Sequence, residues 1–133
     1  LNFDEKIQDD KEIIIINSFG VIADYLKNSR SVFMGKSTLK KLKQEGGQNP
    51  IIAAKLGCKI YHGPYIYNFK EVYDFLDNNR ISNKVENSEE LSRFLINDFK
   101  YEKQDNSEIE KLINQFGQKT LNLTVEKIIT TLK

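Results

Sequence analysis

Glycine set beside uncharged polar groups is the pattern in this chain best suited to chemistry. It occurs in Gly46-Gly47-Gln48-Asn49-Pro50 and again in Gly63-Pro64-Tyr65-Ile66-Tyr67-Asn68-Phe69, each ahead of a helical pattern. A helix start leaves backbone N–H groups without partners and carries a partial positive charge. Glycine lets a ligand approach that backbone closely. Between the two loops, Cys58-Lys59-Ile60-Tyr61-His62 reads as a strand. Two helix starts flanking one strand would make a pocket suited to a phosphate-bearing ligand.

Each of these features also has an ordinary structural use. Gly46-Gly47 can be a turn, and Asn49 can cap a helix opened by Pro50. Gly63-Pro64 can be a rigid turn, with Asn68 capping the next helix. His62, the one histidine, reads as a hydrogen-bonded structural residue. Lys36, Lys40, Lys41 and Lys43 read as a solvated charge run, and Tyr61, Tyr65 and Tyr67 as packing at a rim. No Ser-His-Asp arrangement, metal-ligand cluster, Gly-x-x-x-x-Gly-Lys-Ser/Thr loop or Gly-x-Gly-x-x-Gly motif is present in the sequence. No catalytic set and no cofactor are therefore expected.

The elements that must position these loops follow from periodicity. Ile13-Ile14-Ile15-Ile16 is short and entirely β-branched, and predicts a buried parallel strand. Phe19 to Lys27 has helical spacing, Ser31 to Met34 predicts a second strand, and residues 35–48 a loop with a short helical turn. A helix from Pro50 to about Leu56 should stop at Gly57. After the third strand, Phe69, Val72, Tyr73 and Leu76 form the apolar stripe of a helix. Ile81 to Val85 predicts a fourth strand, and Asn87-Ser88-Glu89-Glu90 a capping box. Helical patterns fill the rest, with Gly117 expected to break them. Strands alternating with helices imply right-handed βαβ units. The expected fold class is therefore α/β: a Rossmann-like parallel sheet with flanking helices, a single domain over 1–133 with C-terminal helices from about 105 to 133.

Composition narrows the partners. The 133 residues carry a net charge of +1, which gives no long-range attraction for nucleic acid. The single cysteine, Cys58, reads as a small core residue, and its lack of a partner within the chain fits a reducing compartment. No apolar run reaches the roughly 20 residues of a membrane span. A start at Leu1 rather than Met reads as part of a longer protein.

In such a sheet, ligands bind beyond the carboxyl ends of the strands. The loops expected there are Asn17-Ser18-Phe19-Gly20, Gly35-Lys36-Ser37, Gly46 to Asn49, Gly63 to Asn68 and Glu86-Asn87-Ser88. They are rich in Ser, Asn and Gly and poor in acids, which suits an anion rather than a metal.

Ser31-Val32-Phe33-Met34-Gly35-Lys36-Ser37, Gly46 to Pro50 and Gly63 to Phe69 together resemble the nucleotide-sugar half of 3-deoxy-D-manno-octulosonic acid (Kdo) transferases. The likeness runs from about Ile13 to Phe99. It implies the C-terminal half of a GT-B glycosyltransferase that moves Kdo from CMP-Kdo onto the lipid A precursor in lipopolysaccharide biosynthesis. The resemblance assigns nucleotide binding to Ser18, Phe19, Gly20, Gly46, Gly47, Gln48 and Asn49, with Ser37 and Asn68 completing the set. It also implies an acidic catalytic base in an N-terminal, acceptor-binding half, so that this chain would not transfer sugar alone. The implied location is cytoplasmic, at the cytoplasmic face of the bacterial inner membrane in the full-length protein. Two positions depart from the family pattern: Val21 and Ile52 stand where its members carry acids. That departure leaves a second reading, a non-catalytic α/β module derived from such an enzyme that binds a partner.

Overall fold

A computed structural model describes residues 12–103 and 105–132 as an α/β unit built on a three-stranded, wholly parallel sheet. In chain order the elements are α1 (Ile22–Asn28), β1 (Ser31–Phe33), α2 (Ile51–Lys55), β2 (Lys59–His62), α3 (Lys70–Asn78), β3 (Ser82–Lys84), α4 (Ser88–Asp98) and α5 (Ser107–Thr131). Short 3-10 turns occupy Lys40–Leu42 and Tyr67–Phe69. The sheet order is β1-β2-β3, with Val32 beside Ile60 and Ile60 beside Ser82. Each helix from α1 to α3 runs back to the start of the next strand, so the N-termini of α1, α2 and α3 share the carboxyl edge of the sheet.

Alternation along the strands assigns the two faces. Val32 and Ile60 face Ala53 and Ala54 of α2, Tyr73 and Leu76 of α3, and Ile113 of α5, which together form the core. The Phe75 and Phe116 rings stack at 4.3 Å and hold α5 on α3. On the other face, Phe94 of α4 stacks on Tyr61 at 5.3 Å. Cys58 is a buried core residue, as the sequence suggests. Burial pushes its thiol pKa up, while the Lys103 ammonium pulls the other way.

At the amino edge, α4 is pinned to the sheet through Asp98, which is 5% exposed. Its carboxylate accepts from Ser31 Oγ at 2.5 Å, Lys59 Nζ at 2.6 Å and Tyr61 OH at 2.8 Å. Burial works to raise the Asp98 pKa, but these donors outweigh it and hold the carboxyl below its ordinary 3.8. Asn87 caps α4 as expected, its Oδ1 accepting from Glu90 N at 2.9 Å. The Glu90 carboxylate reaches back to Glu86 N at 2.9 Å, one residue before the cap.

Three expectations are corrected. Ile13–Ile16 is not the first strand of the sheet: it lies outside it, with Ile13 83% and Ile15 79% exposed. β-Branched composition favours extended backbone, but a strand of the sheet needs a neighbour in its ladder, and among the described residues the sheet order begins at β1. Gly117 does not break the C-terminal helix, because α5 is continuous across it. A solvent-facing glycine costs a helix only about 1 kcal/mol, which anchors at Ile113 and Phe116 can offset. Asn68 does not cap α3, for which no side chain caps the first turn.

Asp98→Asn is expected to cost about 2 kcal/mol at neutral pH, since its three donors lose a charged, buried acceptor. The folded carboxyl is more acidic than the unfolded one, so its contribution is complete above 3.8 and is lost as pH falls through the folded value. In urea titrations the gap between the wild type and Asp98→Asn should narrow as the pH is taken progressively below 3.8. A gap unchanged with pH would contradict this role.

Candidate functional site: the carboxyl edge of the sheet

The loops at the carboxyl edge are locked to one another before any ligand is considered. Ser37, fully buried, is the first lock. Its Oγ donates to Met34 O at 2.5 Å and accepts from Gly63 N at 2.9 Å, and its carbonyl accepts from Tyr65 N at 2.9 Å. The loop after β1 is thereby stitched to the loop after β2. Gly63 is where they touch: a Cβ there would lie 2.3 Å from Ser37 O.

The second lock joins the Gly46–Asn49 turn to the turn ahead of α3. Gly46 has φ +48° and presses on the Tyr67–Phe69 turn, so that a Cβ would meet Tyr67 N at 2.6 Å. Asn68 Nδ2 donates to Glu45 O at 2.6 Å, and Tyr73 OH donates to Gln48 O at 2.8 Å. Tyr73 is wholly buried, and burial together with the Asp77 carboxylate raises its phenol pKa. Asn49 Oδ1 accepts from Ile51 N at 3.0 Å and so opens α2. Among the described residues, nothing accepts from the backbone N–H groups of Gly47, Gln48 and Asn49. Three successive donors without a protein acceptor are the feature here that suits an anion.

Of the nine residues expected to bind nucleotide, the structure joins six into this junction: Ser37, Gly46, Gly47, Gln48, Asn49 and Asn68. Their roles differ. The Ser37 hydroxyl is consumed by protein partners and is a staple, and Asn68 holds a loop with its amide. Gln48 and Asn49 are exposed. Ser18, Phe19 and Gly20 are not tied to the junction by any hydrogen bond among the described residues, and Phe19 is fully exposed. They precede α1 on the same edge, without the strand expected to deliver them.

His62 is structural. It is 1% exposed, its Nδ1 lies 2.8 Å from Gly63 O, and its Nε2 lies 3.2 Å from Asp77 Oδ1. Asp77 also accepts from Ser82 Oγ, so the serine hydroxyl is turned away from the imidazole and the three do not form a nucleophile–base pair. Lys36, read as part of a solvated run, adopts φ +61° and pairs with Glu45 at 3.2 Å. Tyr73 is the residue that sequence reasoning missed, since its stripe position marks it only as core. Among the described residues no group of three or more His, Cys, Asp or Glu could hold a metal ion.

Compared with models of protein families and with curated proteins, the chain matches none.

Ser37→Ala is expected to cost about 2 kcal/mol by leaving a buried N–H unpaired, and Gly63→Ala about 3 kcal/mol by overpacking against backbone. The double variant should cost less than the sum, because both undo one junction. Strict additivity in denaturant titrations would show that the two residues act separately.

Proposed function

We propose that this chain is the donor-nucleotide-binding domain of a Kdo transferase-like glycosyltransferase of GT-B architecture. The carrying observation is that the three resembling segments, separate in sequence, converge on one junction whose Gly47–Asn49 turn holds three N–H donors unengaged among the described residues. In this reading the CMP phosphate sits against Gly47, Gln48 and Asn49. As the glycosidic bond to CMP breaks, negative charge grows on that phosphate, and fixed backbone dipoles stabilise it without reorganising. The acceptor, a lipid A precursor, and the acidic base that activates its hydroxyl belong to an N-terminal half. The proposed location is the cytoplasmic face of the bacterial inner membrane. Among the described residues no helix is long and apolar enough to cross a membrane.

One observation favours a second reading. Ile52, in the first turn of α2, is 51% exposed where the resembling family carries an acid. An apolar side chain cannot accept hydrogen bonds from a ribose or a base. An exposed isoleucine there instead suits contact with another protein surface, as in a non-catalytic module.

Asn49→Asp separates the two. Aspartate caps a helix as well as asparagine does, so the fold should be retained. The added negative charge should weaken CMP binding by about tenfold, one charged hydrogen bond's worth. Isothermal titration with CMP, UMP and inorganic phosphate is the check. Selective CMP binding that Asn49→Asp weakens supports the donor site. No CMP binding at millimolar concentration, or binding that ignores the substitution, would favour the interaction module.

A further inference from the structure

Helix α5 runs on well past the core that holds it. Its 25 residues span about 37 Å, but only the first half packs on the core, through Ile109, Ile113 and Phe116. Every residue from Gly117 to Leu132 is exposed. This overhang nevertheless carries Leu121, Val125, Ile128 and Leu132, with exposures from 43% for Val125 to 82% for Leu132. Their steps of four, three and four place them in one line, about a third of a turn from the side that packs on the core. Leu123, also exposed, lies off this line. A helix of about 15 residues is marginal in water unless an apolar face is covered. We propose that this seam pairs antiparallel with the same seam of a second copy of the chain. Leu121 then meets Leu132, and Val125 meets Ile128.

Three observations select a second copy as the occupant. The first is symmetry. Reversing the helix end for end leaves a four-three-four spacing unchanged, so each copy offers the other a matching seam. A two-fold interface requires that self-complementarity. The second is charge. A two-fold contact sets a patch against itself, so a charge at its edge would meet its like. Between Thr120 and Leu132 the charged residues are Glu126 and Lys127, and both lie about a third of a turn off the seam. The flanking positions hold Asn122, Thr124, Ile129 and Thr131, all uncharged. Thr124 Oγ1 donates to Thr120 O and Thr131 Oγ1 to Lys127 O, both at 2.8 Å. With their hydroxyls engaged inside the helix, these threonines need no polar group from a partner. The third is area. At these exposures the seam and its flanks would remove on the order of 1,000 Å² from water over both copies, the low end for a specific interface. Pairing through α5 does not depend on what binds at the carboxyl edge of the sheet.

Sedimentation equilibrium of the chain from micromolar to millimolar concentration is the first test. A monomer–dimer equilibrium is expected, and the double variant Val125→Gln, Ile128→Gln should weaken it by about tenfold or more. Glutamine is a good helix former and both sites lie off the core, so the helix content of the monomer should hold. Direction is read by cross-linking. In the antiparallel pair the two copies of position 121 are about 16 Å apart along the axis, too far for a disulfide, whereas 121 faces 132. A mixture of Leu121→Cys and Leu132→Cys chains should therefore form a mixed disulfide under mild oxidation, well ahead of either variant with itself. Cys58 is buried and should not take part. A chain that stays monomeric at millimolar concentration would overturn the pairing and leave the seam to a different protein or to a lipid surface. A dimer indifferent to the double variant, or Leu121→Cys cross-linking with itself as readily as with Leu132→Cys, would overturn it too.

Discussion

The carboxyl edge of this protein depends on one buried hydroxyl. Ser37 Oγ donates to Met34 O and accepts from Gly63 N, so both of its hydrogen-bonding capacities are used inside the protein. Without it, the loops after β1 and β2 would each leave backbone groups unpaired in a space that excludes water. With it, the loop after β2 is fixed, and from that loop the Tyr67–Phe69 turn, Gly46 and Asn68 follow in contact. The groups behind the turn are already satisfied, whereas the N–H groups of buried Gly47 and of exposed Gln48 and Asn49 have no acceptor among the described residues.

The two edges of the sheet are held by opposite means. At the amino edge a charge does the work, with Asp98 gathering donors from the first residues of β1 and β2 and from Tyr61. At the carboxyl edge the two locks use neutral groups, with the exposed Lys36–Glu45 ion pair beside them, and glycines let the backbones touch. Glu45, just ahead of the turn, is paired with Lys36 at 3.2 Å.

Much of this was legible in the sequence wherever the signal was local. The Asn87 cap needs only residues 87–90, and the α3 stripe only the spacing of Phe69, Val72, Tyr73 and Leu76. Asn49 could be read as a cap for the same reason. What failed required a partner distant in sequence. Ile13–Ile16 has every preference of a strand, yet among the described residues it does not join the sheet beside β1. Ser37 looks like a ligand for phosphate because it is a hydroxyl in a glycine-bearing loop. Its real partner, Gly63, lies 26 residues away, and no pattern in the sequence announces the contact. Gly117 was over-read, since one exposed glycine weakens a helix without ending it. The convergence of the three loops, and Tyr73 supporting Gln48 from beneath, became visible only in three dimensions.

The most direct test of this account is a crystal structure of the protein with CMP. The account places the phosphate within hydrogen-bond distance of the Gly47, Gln48 and Asn49 N–H groups, with the Ser37–Gly63 staple undisturbed. Nucleotide bound elsewhere on the sheet, or bound at the turn only after the staple had opened, would contradict it.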